Sequence, residues 1–149
     1  MSTLASLHLN ADSFAKFLAS RSYSEKSQEL LAGYFVLGYQ VSDLAVSFSV
    51  PTRQIHSLIS SFRDAVLLSR VPAEFDFSVV PDSVFDRAGR SRRLTPRSIR
   101  LADLVLRRGY VLSRAQVAVG MRERPVTRGF LVTRTMKAAI LEQLEQASA

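Results

Sequence analysis

This 149-residue sequence predicts an all-α fold, two tandem helix-turn-helix units related by an internal repeat and joined by a short extended connector. Two observations carry that expectation. Shifted by about seventy residues without a gap, the second half lies over the first. Identities fall at Phe14/Phe85, Ser20/Ser91, Arg21/Arg92, Ser27/Ser98, Leu30/Leu101, Gly38/Gly109, Tyr39/Tyr110, Ser42/Ser113, Val46/Val117, Arg53/Arg124 and Arg63/Arg134. The shared unit also has the right order of parts: a helix, a Gly-Tyr turn, a Ser-capped short helix, a tight turn and another helix, as in DNA-binding helix-turn-helix proteins.

In the first copy Asn10 is placed to cap a short helix whose apolar Phe14, Phe17 and Leu18 share one face. Ser24 opens a second helix through Leu30, Leu31, Tyr34, Phe35 and Leu37, and Gly38 is placed to close it in the left-handed conformation. Ser42 is read as the cap of the next piece. Leu44, Ala45, Phe48, Ser49, Val50, Ile55 and Leu58 then occupy the positions where a helix-turn-helix needs, in order, an apolar residue, a small one at the helix crossing, an apolar one, a small one at the turn and three apolar anchors. The requirement is steric, since a large side chain at Ala45 would push the two helices apart and the turn at Ser49 needs a small one. Pro51 and Thr52 start the recognition helix, with Thr52 as cap. Its exposed early positions, Thr52, Arg53, Gln54, His56 and Ser57, are residue types that read base edges. The alternative for these residues is an ordinary solvated first turn.

Between the copies, Phe75, Phe77 and Val79 alternate with Asp76 and Ser78, which predicts a short strand or extended connector. In the second copy Asp82 is expected to cap a short helix through Phe85, followed by a basic connector from Arg87 to Arg93. Thr95 and Pro96 make a helix start that runs to Arg107 and Arg108 and stops at Gly109. Ser113 with Gln116 is read as a capping box. The recognition segment is then Arg122 to Arg128, with Pro125 expected in its first helical turn and Arg122, Arg124, Thr127 and Arg128 as DNA contacts. Because Gln116 replaces Ala45 and Gly129 replaces Leu58, looser packing is expected here. Met136, Ala139, Ile140 and Leu144 form a closing amphipathic helix, read as core packing. The domains expected are 9–74, an N-terminal helix-turn-helix, 75–94, a connector and basic linker, and 95–147, a basic C-terminal helix-turn-helix.

Charge is divided as unevenly as the motifs are shared. Six of the 20 basic residues precede position 76, against six acidic ones, so the first half is neutral and the net charge of +7 sits in the second. A basic half beside a neutral one points to a polyanion, and double-stranded DNA is the partner expected. A solvated basic face without a ligand is the plainer alternative. A homodimer or a protein partner is a further expectation.

Other classes find little support. Cysteine is absent, which removes disulfides, thiolate chemistry and Cys-based zinc sites. His56 has only His8 as an imidazole partner, acidic residues do not cluster at metal-binding spacing, and no phosphate-cradling glycine loop occurs. No catalytic residue, cofactor or metal is therefore expected, and no enzymatic activity. Tyr39 and Tyr110 are read as packing residues of the motif. No apolar run is long enough to span a bilayer, and Met1 to Leu9 lacks the features of a signal peptide, so a cytoplasmic location with nucleoid or plasmid association is expected.

Leu9, Asn10, Phe14, Gly38, Ser42-Asp-Leu-Ala45, Val50-Pro-Thr-Arg53, Ile55, Val71-Pro72-Ala73-Glu74-Phe75 and Val79-Val80-Pro81 together resemble the TrfB/KorA family of plasmid-borne transcriptional repressors and, more distantly, the PapB-type regulators of adhesin genes. The resemblance covers roughly positions 9 to 81. It implies a sequence-specific transcriptional repressor of plasmid or mobile-element genes that binds palindromic operators as a dimer and reads bases through Thr52, Arg53, Gln54, His56 and Ser57. The chain departs from that family in its second copy, since two reading heads in one chain could replace the dimer. An alternative function is a protein-interaction adaptor, whose neutral N-terminal unit holds another regulator while the basic half anchors it to DNA.

Overall fold

The computed structural model describes residues 4–72 and 74–148. Ala73 of the Val71–Phe75 run and the first three residues of the Met1–Leu9 start lie outside the described residues. Among the described residues the protein is all-helical: α1 (Ala11–Ala19), α2 (Glu25–Phe35), α3 (Val41–Phe48), α4 (Thr52–Ser69), α5 (Asp82–Ser91), α6 (Pro96–Leu106), α7 (Leu112–Ala118) and α8 (Thr127–Ser148), with short 3-10 turns at Leu4–Leu7 and Phe77–Val79. None of these helices is long and apolar enough to cross a membrane. The chain divides into two compact units, one ending at Val66 and the other starting at Leu67.

In the first unit the helix starts follow local chemistry. The Ser13 N–H donates to Asn10 Oδ1 at 2.8 Å, and the Ser27 N–H donates to Ser24 Oγ at 3.1 Å, each satisfying an amide left free by the helix geometry. Gly38 closes the α2 end with φ +74°, and the Tyr39 N–H donates to the Gly33 carbonyl at 2.9 Å. Aromatic rings fill the core. Phe62 of α4 is fully buried, with ring centroids 5.4 Å from Phe14, 5.4 Å from Phe17 and 5.5 Å from Phe35.

The second unit is built on smaller side chains around α8. Phe85, Ala88, Ala102, Met136, Ala139 and Ile140 form one buried cluster, and α8 lies against both α5 and α6. Gly89 permits the close approach of α5 to α6, because a Cβ there would meet the Ile99 side chain at 2.7 Å. Leu101, Leu104 and Ala115 form a second cluster between α6 and α7. The α6 end mirrors that of α2 in chemistry: Gly109 has φ +75° and the Tyr110 N–H donates to the Leu104 carbonyl at 2.9 Å. The helices α1, α2 and α3 begin at the same spacing from α5, α6 and α7, respectively, whereas α8 begins later than that spacing would place it.

Several local expectations need correction. Ser42 and Ser113 are not caps: Gln40 and Val111 hold those positions without side-chain bonds, and the helices start two residues earlier than expected because Val41 and Leu112 already pack inward. The expected capping box therefore does not form, and Gln116 is turned inward instead. Thr52 is the first helical residue, with the Pro51 carbonyl accepting from Gln54 and Ile55. Pro81 takes the cap position expected of Asp82, and α5 runs through Ala88 and Gly89 to Ser91, so the expected basic connector after Phe85 is mostly core helix. No strand or extended run forms at Phe75–Val79. Asp76 accepts from the Ser78 N–H at 2.9 Å and from its hydroxyl at 2.6 Å, which folds the segment into a turn and brings the Phe75 and Phe77 rings to 4.7 Å. The closing amphipathic helix is continuous with the one that begins at Thr127. Tyr39 and Tyr110 are about half-exposed, so their backbone N–H groups, more than their rings, serve the turn.

Candidate nucleic-acid interface

The first turns of α4 have two chemically different faces. Ile55 and Ile59 are buried and anchor the helix to its core, while Thr52, Arg53, Gln54, His56 and Ser57 are all exposed. The sequence-predicted residues of the first copy are thus brought together on one free surface. The approach to it is short. Between α3 and α4 only Ser49, Val50 and Pro51 intervene, and Ser49 takes the left-handed conformation with φ +53°. A small hydroxyl residue tolerates that backbone better than a bulky or β-branched one.

In the second unit the corresponding connection is a loop. Residues 119–126 separate α7 from α8, so Arg122 and Arg124 lie before the helix, and Pro125 is not in its first turn. Two physical causes combine. The residue preceding a proline disfavours helical geometry, and Arg124 accordingly lies in a bend outside the helix. In addition, Gln116 on α7, 1 % exposed, donates through Nε2 to the carbonyls of Arg122 at 2.8 Å, Glu123 at 3.1 Å and Pro125 at 3.4 Å. One buried amide therefore holds the loop from within.

Gly129 makes that possible. It is buried at the start of α8, and a Cβ there would collide with Gln116 Oε1, so the larger residue on α7 and the missing side chain on α8 are complementary. This overturns the expectation of looser packing at this crossing. Gly120, with φ +84°, begins the loop in the conformation that Ser49 adopts before α4.

The arginines of the second unit fall into two groups. Arg107 donates to Asp103 at 2.6 Å, to Asp82 at 2.7 Å and to the Val80 carbonyl at 3.0 Å, and its guanidinium lies 4.4 Å from the Phe85 ring centroid. Arg108 adds a 3.1 Å bond to Asp103, and Arg70 and Arg92 face Glu145 and Glu142. Burial pushes the Asp103 carboxyl up, but the bonds from Arg107 and Arg108 outweigh it and hold the carboxyl below its ordinary value. These arginines are structural. Arg97, Arg122, Arg124 and Arg128 are exposed and have no ion pair among the described residues.

Those four arginines line one groove of about 690 Å³, whose wall is completed by Thr95, Ser98, Gln116 and the turn at Gly120. Thr127 lies at the start of the same helix as Arg128, and it is exposed. Sequence reasoning missed Arg97 and the positioning role of Gln116. The pairing of a polar insertion at position 116 with a deletion to glycine at 129 was the available signal. The protein matches no family model, no curated protein and no solved structure at a meaningful similarity.

Proposed function

We propose that this protein is a sequence-specific double-stranded DNA-binding transcriptional regulator, expected to repress genes of a plasmid or other mobile element, with two helix-turn-helix units in one chain. The observation that carries this reading is the exposed face of α4. Its first turns follow a short helix and a three-residue turn, their inner side is anchored by Ile55 and Ile59, and their outer side presents Thr52, Arg53, Gln54, His56 and Ser57. Arginine matches guanine and glutamine matches adenine in the major groove, while Ser, Thr and His make less selective contacts. The second unit supplies the positive charge for backbone attraction. Gel shifts of the full chain on DNA from upstream of its own gene and on random DNA of equal length test the reading. A preference for the upstream fragment that persists as salt is raised supports it, and equal binding to both contradicts it.

One observation favours a second reading, the protein-interaction adaptor. In the neutral first unit Val46 is 81 % exposed and Leu37 62 %, apolar side chains that a partner protein could cover. Under that reading, changes at Leu37 and Val46 abolish capture of a regulator while Arg53→Ala has no effect on DNA preference.

A further inference from the structure

We propose that the groove between the start of α6 and the loop before α8 is a discrete phosphate-ester site, held by Arg97, Arg122, Arg124 and Arg128. The inference rests on the DNA-binding reading only for one of its two sources of phosphate, a duplex backbone. The other source is a free nucleotide.

The chemistry of the walls supports an anion. Four arginines line the groove from three separate pieces of chain: one from α6, two from the loop and one from α8. No carboxylate lines it. Arg70, Arg92, Arg107 and Arg108 of this unit are matched with Glu145, Glu142, Asp82 and Asp103, whereas no carboxylate stands among the four arginines of the groove. Guanidiniums placed without a counter-charge repel one another until an anion joins them.

The backbone is arranged to the same end. Carbonyl oxygens in a loop would repel a phosphate, but those of Arg122, Glu123 and Pro125 are drawn inward onto Gln116 Nε2. Gln116 is thus a positioning residue, turning the loop so that its side chains and not its carbonyls face the ligand. The α6 helix, whose Thr95 side chain accepts from the Ser98 N–H, presents its positive end to the same space.

The test is calorimetric titration of the full chain with inorganic pyrophosphate, followed by competition with a short duplex. Saturable binding of one pyrophosphate is expected. Arg97→Ala and the Arg122→Ala, Arg124→Ala pair should each weaken it by about ten- to a hundredfold, the scale of lost charge-assisted hydrogen bonds. Arg114→Ala, an exposed arginine of the same unit outside the groove, should leave it unchanged. Displacement of pyrophosphate by the duplex identifies the DNA backbone as the source, and simultaneous binding of both identifies a free nucleotide. If pyrophosphate binds but no duplex does, the groove stands and the DNA-binding reading fails. Absence of saturable binding, or an equal loss in Arg114→Ala, overturns the proposal.

Discussion

Gln116 occupies the space that Gly129 leaves empty, so that a buried amide on α7 packs against bare backbone at the start of α8. At the repeat spacing expected from the sequence, the corresponding positions of the first unit are Ala45 and Leu58, both partly buried against its core. At positions 116 and 129 the bulk lies on the earlier helix, and it brings an amide that organises the loop.

Coupling between these two residues follows. Gly129→Leu should overpack the crossing and destabilise the second unit by about 1–3 kcal/mol. Gln116→Ala should cost about the same, by removing the hydrogen bonds that hold the loop and emptying the space the buried amide fills. The double variant should be more stable than the sum of the two losses implies, by about 0.5–3 kcal/mol. Urea denaturation of the four proteins measures this cycle, and strict additivity would show that the two residues do not share one space.

Acid should weaken the second unit through Asp103. Its carboxyl is held below its unfolded value, so its contribution is fully present above that value and is lost as pH falls through the folded one. Asp103→Asn should lower the melting temperature at neutral pH and make the acid limb of the stability profile shallower. Melting curves recorded from pH 7 down to the acid transition check this. A variant with the same pH profile as the unaltered protein would refute it.

How far all this was readable from the sequence depends on the range of the interaction. The all-helical class and the caps at Asn10, Ser24 and Thr95 were legible because they depend on neighbours three residues away. Gly38 and Gly109 were legible because a left-handed turn has a strong residue preference. The alternation Phe75-Asp76-Phe77-Ser78-Val79 misled, since a single Asp76 side chain captured the Ser78 amide and favoured a turn over an unpaired strand. Ser113 and Gln116 looked like a local capping box, but a buried amide with three carbonyl partners gains more than an exposed cap. The exposed face of α4 was readable from periodicity. The groove was not, because Arg97 meets the loop arginines only through tertiary packing.

Phe62 is the residue on which the first core depends most. Its ring faces Phe14, Phe17, Tyr23 and Phe35 and is wholly withdrawn from solvent. Phe62→Ala should cost about 3–5 kcal/mol. Denaturant titration measures it, and a loss below about 1 kcal/mol would show that the cluster relaxes around the missing ring.

Salt dependence separates the paired arginines from the free ones. Replacing Arg122, Arg124 and Arg128 together by alanine should flatten the slope of log affinity against log salt on random DNA by about two to three units. Replacing Arg107 and Arg108, which are engaged with Asp103, should change that slope little while lowering stability. A reversed pattern would mean that the structural arginines are the DNA contacts.

The most direct test of the DNA-reading surface on α4 is the ratio of affinities for the upstream operator and for random DNA, measured on the full chain with Arg53→Ala and with Gln54→Ala. Loss of one bidentate base contact costs about 1–3 kcal/mol of discrimination, so each variant should narrow that ratio by roughly ten- to a hundredfold and leave random-DNA binding nearly unchanged. An unaltered ratio in both variants would contradict the account, because the exposed face of α4 would then not be where bases are read.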